Sequence, residues 1–400
     1  MPRTVFSGGA LFDGTGAPIT AADVVVDDGR IVEVGANLDA DAEIDCSNKT
    51  LLPGLFDAHV HLAISHINLW KHIQTPFSYR FYEAIHNLAA TVRAGVTAVR
   101  DAGGADLGMK EAVQNGLVLG PRMQISLAML SQTGGHGDGW LASGAEAELL
   151  PSYPGIPSTV VDGPEEMRRA VRELVRAGAD VIKVATSGGV LSPRDEPTHA
   201  HFSPEELAML TAEARAAGIW VMAHAQATDG IKNAVRAGIR SIDHGIYLDE
   251  EAVEMMIEHG TYLVPTLVAP RGVTRAVAAG AQVPEASIRK AEEVVEAHME
   301  SFRRAVQAGV KIAMGTDSGV TPHGENLKEL TLMVEGGMTP LEALTATTKT
   351  AAELMGLDAD LGTVETGKLA DLVVVEGDPF DFDTLGERVE QVWIGGSRVV

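Results

Sequence analysis

Short apolar runs recur through the middle of the chain, and most are followed by a stretch whose apolar residues fall at helical spacing. The runs cover 55–62, 96–101, 123–127, 180–185, 219–224, 240–244, 262–266 and 311–316. Between them, 165–177 has apolar residues at helical spacing and ends at Gly178. The stretch 204–217 begins after Ser203, a good N-cap residue, and ends at Gly218, while 249–259 ends at Gly260. One junction repeats: Ala94-Gly95-Val96, Ala217-Gly218-Ile219, Ala237-Gly238-Ile239 and Ala308-Gly309-Val310 each read as a helix C-cap feeding a strand. Eight strand–helix repeats over about 300 residues predict a (β/α)8 TIM barrel, with a doubly wound open sheet as the alternative.

The two ends of the chain read differently. Apolar-rich runs at 23–27 and 30–34 flank Asp28-Gly29, a strong hairpin signal. At the far end, 372–376 and 389–394 are strand-like, and Gly395-Gly396 turns into 397–400. Neither end is large enough for a stable sheet alone. Both ends are therefore expected to pair into one small β-sandwich domain, 1–55 plus 358–400, beside a barrel over 56–357. Two connections stand out: 129–163, rich in Gly, Ser and Pro, and 192–201. Long loops in compact domains are commonly lids or binding loops.

Composition narrows the function. Hydrophobic residues make up 45% of the chain and there are 43 glycines, which fits a globular protein rich in turns. Aromatics are only 4% and the formal charge is −24, which argues against a nucleic-acid partner; the charge itself reads as solubility. Cys46 is the single cysteine, so no intrachain disulfide framework forms, and a reducing cytoplasm is the expected location. Met1-Pro2-Arg3-Thr4 leads straight into a strand pattern, with no signal-type apolar segment, and no apolar stretch of about 18 residues points to a membrane span.

Ligand-type residues sit at the ends of several runs. Asp57-Ala58-His59-Val60-His61 has period two, which on a strand puts Asp57, His59 and His61 on one face. Two adjacent imidazoles suit a metal; a hydrogen-bonded pair of core histidines is the competing reading. Lys183, inside the run 180–185, is expensive to bury as a cation. An added CO2 would turn it into a carbamate able to bridge two cations; pairing with a carboxylate is the other reading, and the strand alone does not choose. His224 and His244 end their runs, and either alone is as well explained by packing. Asp317 follows the last run and could ligate or take a proton, or serve as an N-cap. A barrel would gather His59, His61, Lys183, His224, His244 and Asp317 at the carboxyl ends of its strands.

In that order the six residues resemble the amidohydrolase superfamily: His-x-His after the first strand, Lys after the fourth, His after the fifth and sixth, Asp after the eighth. The resemblance covers essentially the whole chain, including the closing segment Gly362-Thr363-Val364-Glu365-Thr366-Gly367-Lys368-Leu369-Ala370-Asp371-Leu372. It implies two divalent metal ions, usually Zn2+, and an N6-carboxylated Lys183 as bridge. His59, His61 and Asp317 would hold one ion, and His224 and His244 the other. A bridging hydroxide would attack a polarised carbonyl, with Asp317 as general base and then acid. Gly134-Gly135-His136-Gly137-Asp138 and His224-Ala225-Gln226 resemble the imidazolonepropionase-related branch, which includes Xaa-Pro dipeptidases and ochratoxin-type amidases. There the histidine matching His136 lies near the substrate carbonyl. Some dipeptidases of the branch carry a carboxylate-binding tyrosine where this chain has Gln226. His323 also follows Asp317 closely enough to face substrate. The resemblance thus implies cleavage of an amide or peptide-like C–N bond in an N-acyl amino acid or dipeptide. The alternatives are a hydrolase of cyclic amides or carbamates and, from another class, a non-catalytic scaffold. Imidazolonepropionases and deaminases generally lack the lysine matching Lys183. Relatives often assemble as homo-oligomers, from dimers to octamers.

Overall fold

A computed structural model describes every residue except Met1, Ala147, Leu149 and Pro193. Its centre is mixed α/β. One sheet has the strand order Arg122–Ile125, Val96–Asp101, Leu55–Val60; a second runs Met129–Leu130, Val181–Ala185, Trp220–Ala225, Ser241–His244, Tyr262–Val264. Every pairing within these two sheets is parallel. All six residues of Leu55–Val60 and of Val96–Asp101 are buried, because both faces of a parallel sheet are covered.

The segment predicted as a strand over 311–316 departs from expectation. It makes only isolated bridges, Leu263 with Ile312 and Val60 with Ser318, yet it lies between the two sheets. Ala313 N–H donates to Leu263 O on one side, and Ala58 N–H donates to Met314 O on the other. Met314 N–H turns away to Ala346 O, which interrupts the ladder. Gly315 explains part of the irregularity: a Cβ there would fall 2.4 Å from Val264 Cγ1 and 3.0 Å from the His59 backbone nitrogen. The backbone runs too close to its neighbours for an ordinary pleat.

Helices cover the sheets as their periodicity predicts. Pro164–Arg176 buries Met167, Ala170, Val171 and Leu174. Pro204–Ala216 starts with a capping box between Ser203 and Glu206, which satisfies orphan N–H groups at its first turn. Glu250–His259 ends on Gly260 in the left-handed conformation (φ 66°).

The chain ends do pair with each other. Leu372–Glu376 lies antiparallel between Lys49–Pro53 and Val389–Ile394 in a six-stranded sheet. A four-stranded sheet contains Asp23–Asp27 and Arg30–Gly35, joined at Asp28-Gly29 with φ of 44° and 77°, the positive values a primed hairpin turn needs. Phe6, Val24 and Ile31 from this sheet share one apolar cluster with Leu51, Leu372 and Val374 from the six-stranded one. Among the described residues, no helix is long and apolar enough to cross a membrane.

Candidate metal centre

The strand registers gather the predicted residues. Ala185 stands beside His224, and Ala225 beside His244, so Lys183, His224 and His244 step across neighbouring strands at one end of the sheet. These three line a cleft with His59, His61, Asp317, His136 and Gln226. The cleft encloses about 1500 Å3 including its open mouth, ample for a dipeptide-sized molecule. Much of its wall is apolar, with Ile64, Ile67, Leu141, Val190, Ile246 and Val273 among the lining.

His59, His244 and Asp317 each offer a ligand atom, and these atoms all lie within 4.8 Å of one another. Asp317 Oδ1 is 3.4 Å from His59 Nε2 and 3.2 Å from His61 Nε2. The ring centroids of His224 and His244 are 4.6 Å apart, and those of His59 and His244 5.0 Å. Hydrogen bonds decide which nitrogen each ring can offer. A backbone carbonyl only accepts, so His61 Nδ1 donates to Gly103 O at 2.8 Å and leaves Nε2 toward Asp317. By the same logic His224 Nε2 donates to Gly188 O at 3.1 Å, leaving Nδ1 as its lone pair. His244 Nδ1 is engaged 2.7 Å from Thr266 Oγ1, leaving Nε2.

Electrostatics favour lone pairs and an anion. Burial, then the nearby His136, His244 and Lys183, pushes His224 well below the usual imidazole range. Burial, then His59, does the same for His244. Burial pushes the Asp317 carboxyl up, but its hydrogen bonds and charge pairing with His59 and His61 outweigh that and hold it well below the carboxylate range. Burial lowers His61, but hydrogen bonding and charge pairing with Asp317 outweigh it and leave the imidazole raised above its usual range. The lowered imidazoles of His224 and His244 beside the Asp317 carboxylate, converging in a cleft with His59 and His61, are a donor set that fits a divalent metal.

Lys183 is 1% exposed. Its Nζ donates to Asp243 Oδ2 at 3.0 Å, and that same oxygen lies 2.9 Å from His59 Nδ1, off the line of a hydrogen bond. Asp243 Oδ1 accepts from Arg100 at 3.2 Å and from Ser241 Oγ at 2.9 Å. Beneath His59, Asp57 accepts from Thr316 Oγ1 at 2.6 Å and from Asn326 at 2.8 Å. Asp243 and Arg100 escaped sequence reasoning. The signal for Asp243 was present: a carboxylate inside a buried run, one residue before a ligand-type histidine.

Two site residues sit on strained backbone. His244 has φ 74° and Asp317 φ 59°, and Thr266, which holds His244, has φ 54°. Left-handed conformations cost a non-glycine residue roughly 1–3 kcal/mol and persist where surrounding structure over-determines them.

Outside the cluster the predicted residues divide. His136 and Gln226 line the cleft, and Gln226 Oε1 is buried with no hydrogen-bond partner among the described residues. His323 is absent from the lining; its Nε2 donates to Ile64 O at 2.9 Å, behind the cleft wall. His298, which sequence reasoning passed over, does line the cleft, and its Nε2 donates to His244 O at 2.9 Å.

Comparison with known proteins places this geometry in context. Residues 50–399 match the profile described as the Amidohydrolase family. The chain is 36% identical to ochratoxinase of Aspergillus niger over 419 aligned residues, covering 98% of this chain and 86% of the relative. It is 28% identical to imidazolonepropionase of Sphingopyxis alaskensis over 409 residues, covering 92% of this chain and 91% of that one. The solved structure of a Xaa-Pro dipeptidase with methionine bound in the active site matches with a TM-score of 0.91 at 34% identity, covering 99% of both chains.

Proposed function

The chain belongs to the amidohydrolase family and is a hydrolase acting on C–N bonds; from that premise we propose that it cleaves an amide or peptide-like bond in a small N-acyl amino acid or dipeptide. The observation that carries the reading is the convergence of His59, His244 and Asp317 within 4.8 Å at the floor of a cleft that Lys183, His61 and His224 also line. In this reading His59, His61 and Asp317 would hold one divalent ion and His224 and His244 a second, with Lys183, as its CO2-derived carbamate, supplying an anionic ligand to both. Bound there, two zinc-type ions would supply a Lewis acid for the substrate carbonyl and an acidified water as nucleophile.

The chain's own residues do the rest. Asp317, ionised and at the cleft floor, takes the proton of the attacking water and returns it to the leaving amine. His136 reaches the carbonyl from the wall, and the apolar lining excludes bulk water. Gln226 faces the group beyond the scissile bond. A second reading, hydrolysis of a cyclic amide or a carbamate, draws on the buried, unpartnered Oε1 of Gln226, because a side-chain amide complements the donor–acceptor pair of a ring amide.

The same reading closes the parallel strands and the 311–316 run into one (β/α)8 barrel over 56–357, Arg122–Ile125 and Met129–Leu130 counting together as its third strand, with 1–55 and 358–400 as a β-sandwich at its side. It also makes the protein a cytoplasmic homo-oligomer, which light scattering checks. The decisive experiment is a library of N-acyl amino acids and dipeptides offered to metal-loaded enzyme. Turnover of several members is the expected result; turnover confined to lactams or carbamates replaces the first reading with the second.

A further inference from the structure

His136 lies outside the cluster of strand-end ligands, yet its imidazole is fixed on three sides. One face stacks on His224, with centroids 4.1 Å apart and planes 17° from parallel. The other side meets Gly189, where a Cβ would fall 2.3 Å from His136 Cε1, so only glycine leaves room for the ring. At its edge, His136 Nδ1 lies 2.7 Å from Ser192 Oγ.

That last contact can be assigned a direction. Ser192 Oγ is also hydrogen-bonded to Asp195 Oδ1 and lies 3.2 Å from Gly189 O. A hydroxyl has one proton, and a carboxylate is a stronger acceptor than a carbonyl already engaged by an ammonium. The proton of Ser192 therefore goes to Asp195, and Ser192 Oγ accepts from His136 Nδ1–H. Asp195 Oδ2 accepts Gly189 N–H at 3.2 Å and lies 3.7 Å from His136 Nδ1, so one carboxylate steadies both the ring and the glycine beneath it. The assembly is pinned from behind by Lys290 in the helix Glu285–Ala308. Lys290 is fully buried, and its Nζ donates to Gly189 O at 2.6 Å, Ser192 O at 2.5 Å and Asp195 O at 3.0 Å.

Resting on the hydrolase reading above, we propose that Asp195, acting through Ser192, is a positioning residue that commits His136 Nδ1–H to the protein and turns Nε2 toward the substrate. Neither Asp195 nor Ser192 needs to touch the reacting atoms. They remove the ring's rotational freedom and its choice of tautomer, so that a loop histidine meets substrate in a single orientation.

The test combines kinetics with ring 15N NMR on the metal-loaded protein, the His136 signals being assigned by their loss in His136→Gln. In the native chain Nδ1 of His136 carries a proton; an unprotonated Nδ1 overturns the proposal. Ser192→Ala and Asp195→Asn each lower kcat about ten- to hundred-fold, the scale seen when partners that orient a reactive group are removed. KM stays within about threefold and metal content is unchanged. In a His136→Ala background the same substitutions cost less than about twofold, because the ring they position is gone; losses that multiply in full show that they act elsewhere and overturn it. Should Asp195→Asn loosen the loop, Ser192→Ala decides alone, since it leaves Lys290 and Asp195 in place, and native kcat in that variant overturns the proposal. The NMR readout needs no substrate, so failure to cleave any amide strikes the hydrolase reading and leaves the tautomer assignment independently decided.

Discussion

Lys183 and Lys290 are both exposed by no more than 1%, and their amines are housed in opposite ways. Lys290 Nζ has three carbonyl acceptors, with the Asp195 carboxylate 3.5 Å away. An ammonium has three N–H donors, so this cage satisfies it completely. Lys183 Nζ has one acceptor among the described residues, Asp243 Oδ2, and that carboxylate also answers Arg100 and His59. Burial pushes both amines down, against the pull of Asp195 on Lys290 and of Asp243 on Lys183. A saturated cage suits a permanent cation; the leaner housing of Lys183, opening on the cleft, suits the carbamate role proposed for it above. Two equally buried lysines are thus housed for different work: Lys290 holds a loop, and Lys183 is the one the proposed mechanism asks to react.

The two lysines should part most sharply when Lys183 is replaced. Lys183→Ala should lower kcat/KM by about a thousandfold or more, the scale of losing a preorganised charge stabiliser, and short carboxylates such as acetate should restore part of it. Full activity in the variant would remove the bridge from the mechanism. Chelation should likewise abolish turnover and added zinc restore it, with elemental analysis finding about two metals per chain; one metal points instead to a mononuclear enzyme. Lys290→Met should do its damage elsewhere. Leaving Asp195 and three carbonyls buried without their cation should cost about 3 kcal/mol or more in urea unfolding, while Lys183→Met, which leaves Asp243 with Arg100, costs less. Equal costs would show that the two cages do not differ.

A smaller effect comes from a buried carboxylate held by backbone N–H groups. Glu329 accepts Leu267 N–H at 2.7 Å and Val268 N–H at 2.8 Å, but burial outweighs these and pushes its carboxyl up to about 8. From the ordinary value of 4.5 up to about 8, the folded protein keeps a proton that the unfolded chain has released. Stability therefore falls as pH rises through that window, by at most about 1.4 kcal/mol per pH unit from this group. Glu329→Gln should flatten that slope; an unchanged slope means that another group sets it.

Much of the candidate site was legible because a ligand-type residue at the end of a buried run is a local signal. His59, His61, Lys183, His224 and His244 each announce themselves by polarity inside or beside an apolar run, and the register of parallel strands brings Lys183, His224 and His244 together. Asp317 was legible by type, although its segment proved too irregular to count as a strand. The supports were harder to read. Ser192 and Asp195 lie on a connection whose path no periodicity fixes, and their partner Lys290 comes from a helix almost a hundred residues away. Lys290 did leave a trace, since it shares the buried stripe of its helix with Ser287, Ala291, Val294 and His298 at helical spacing. A lysine on such a stripe asks for a cage, but the sequence does not say which carbonyls build it. His323 failed for the opposite reason: nearness to Asp317 along the chain carried it behind the wall rather than into the cleft.

The strand Lys49–Pro53 has Leu372–Glu376 as its antiparallel partner, more than three hundred residues downstream. On a ribosome adding about 5–20 residues per second, that edge waits tens of seconds for its neighbour to emerge. Until then Thr50, Leu51 and Leu52, all buried in the finished protein, present an open hydrogen-bonding edge to whatever else is in solution. A late segment closes an early one, so a nascent chain stalled before residue 372 should be a client for chaperones even though every described strand of its central sheets has already been made.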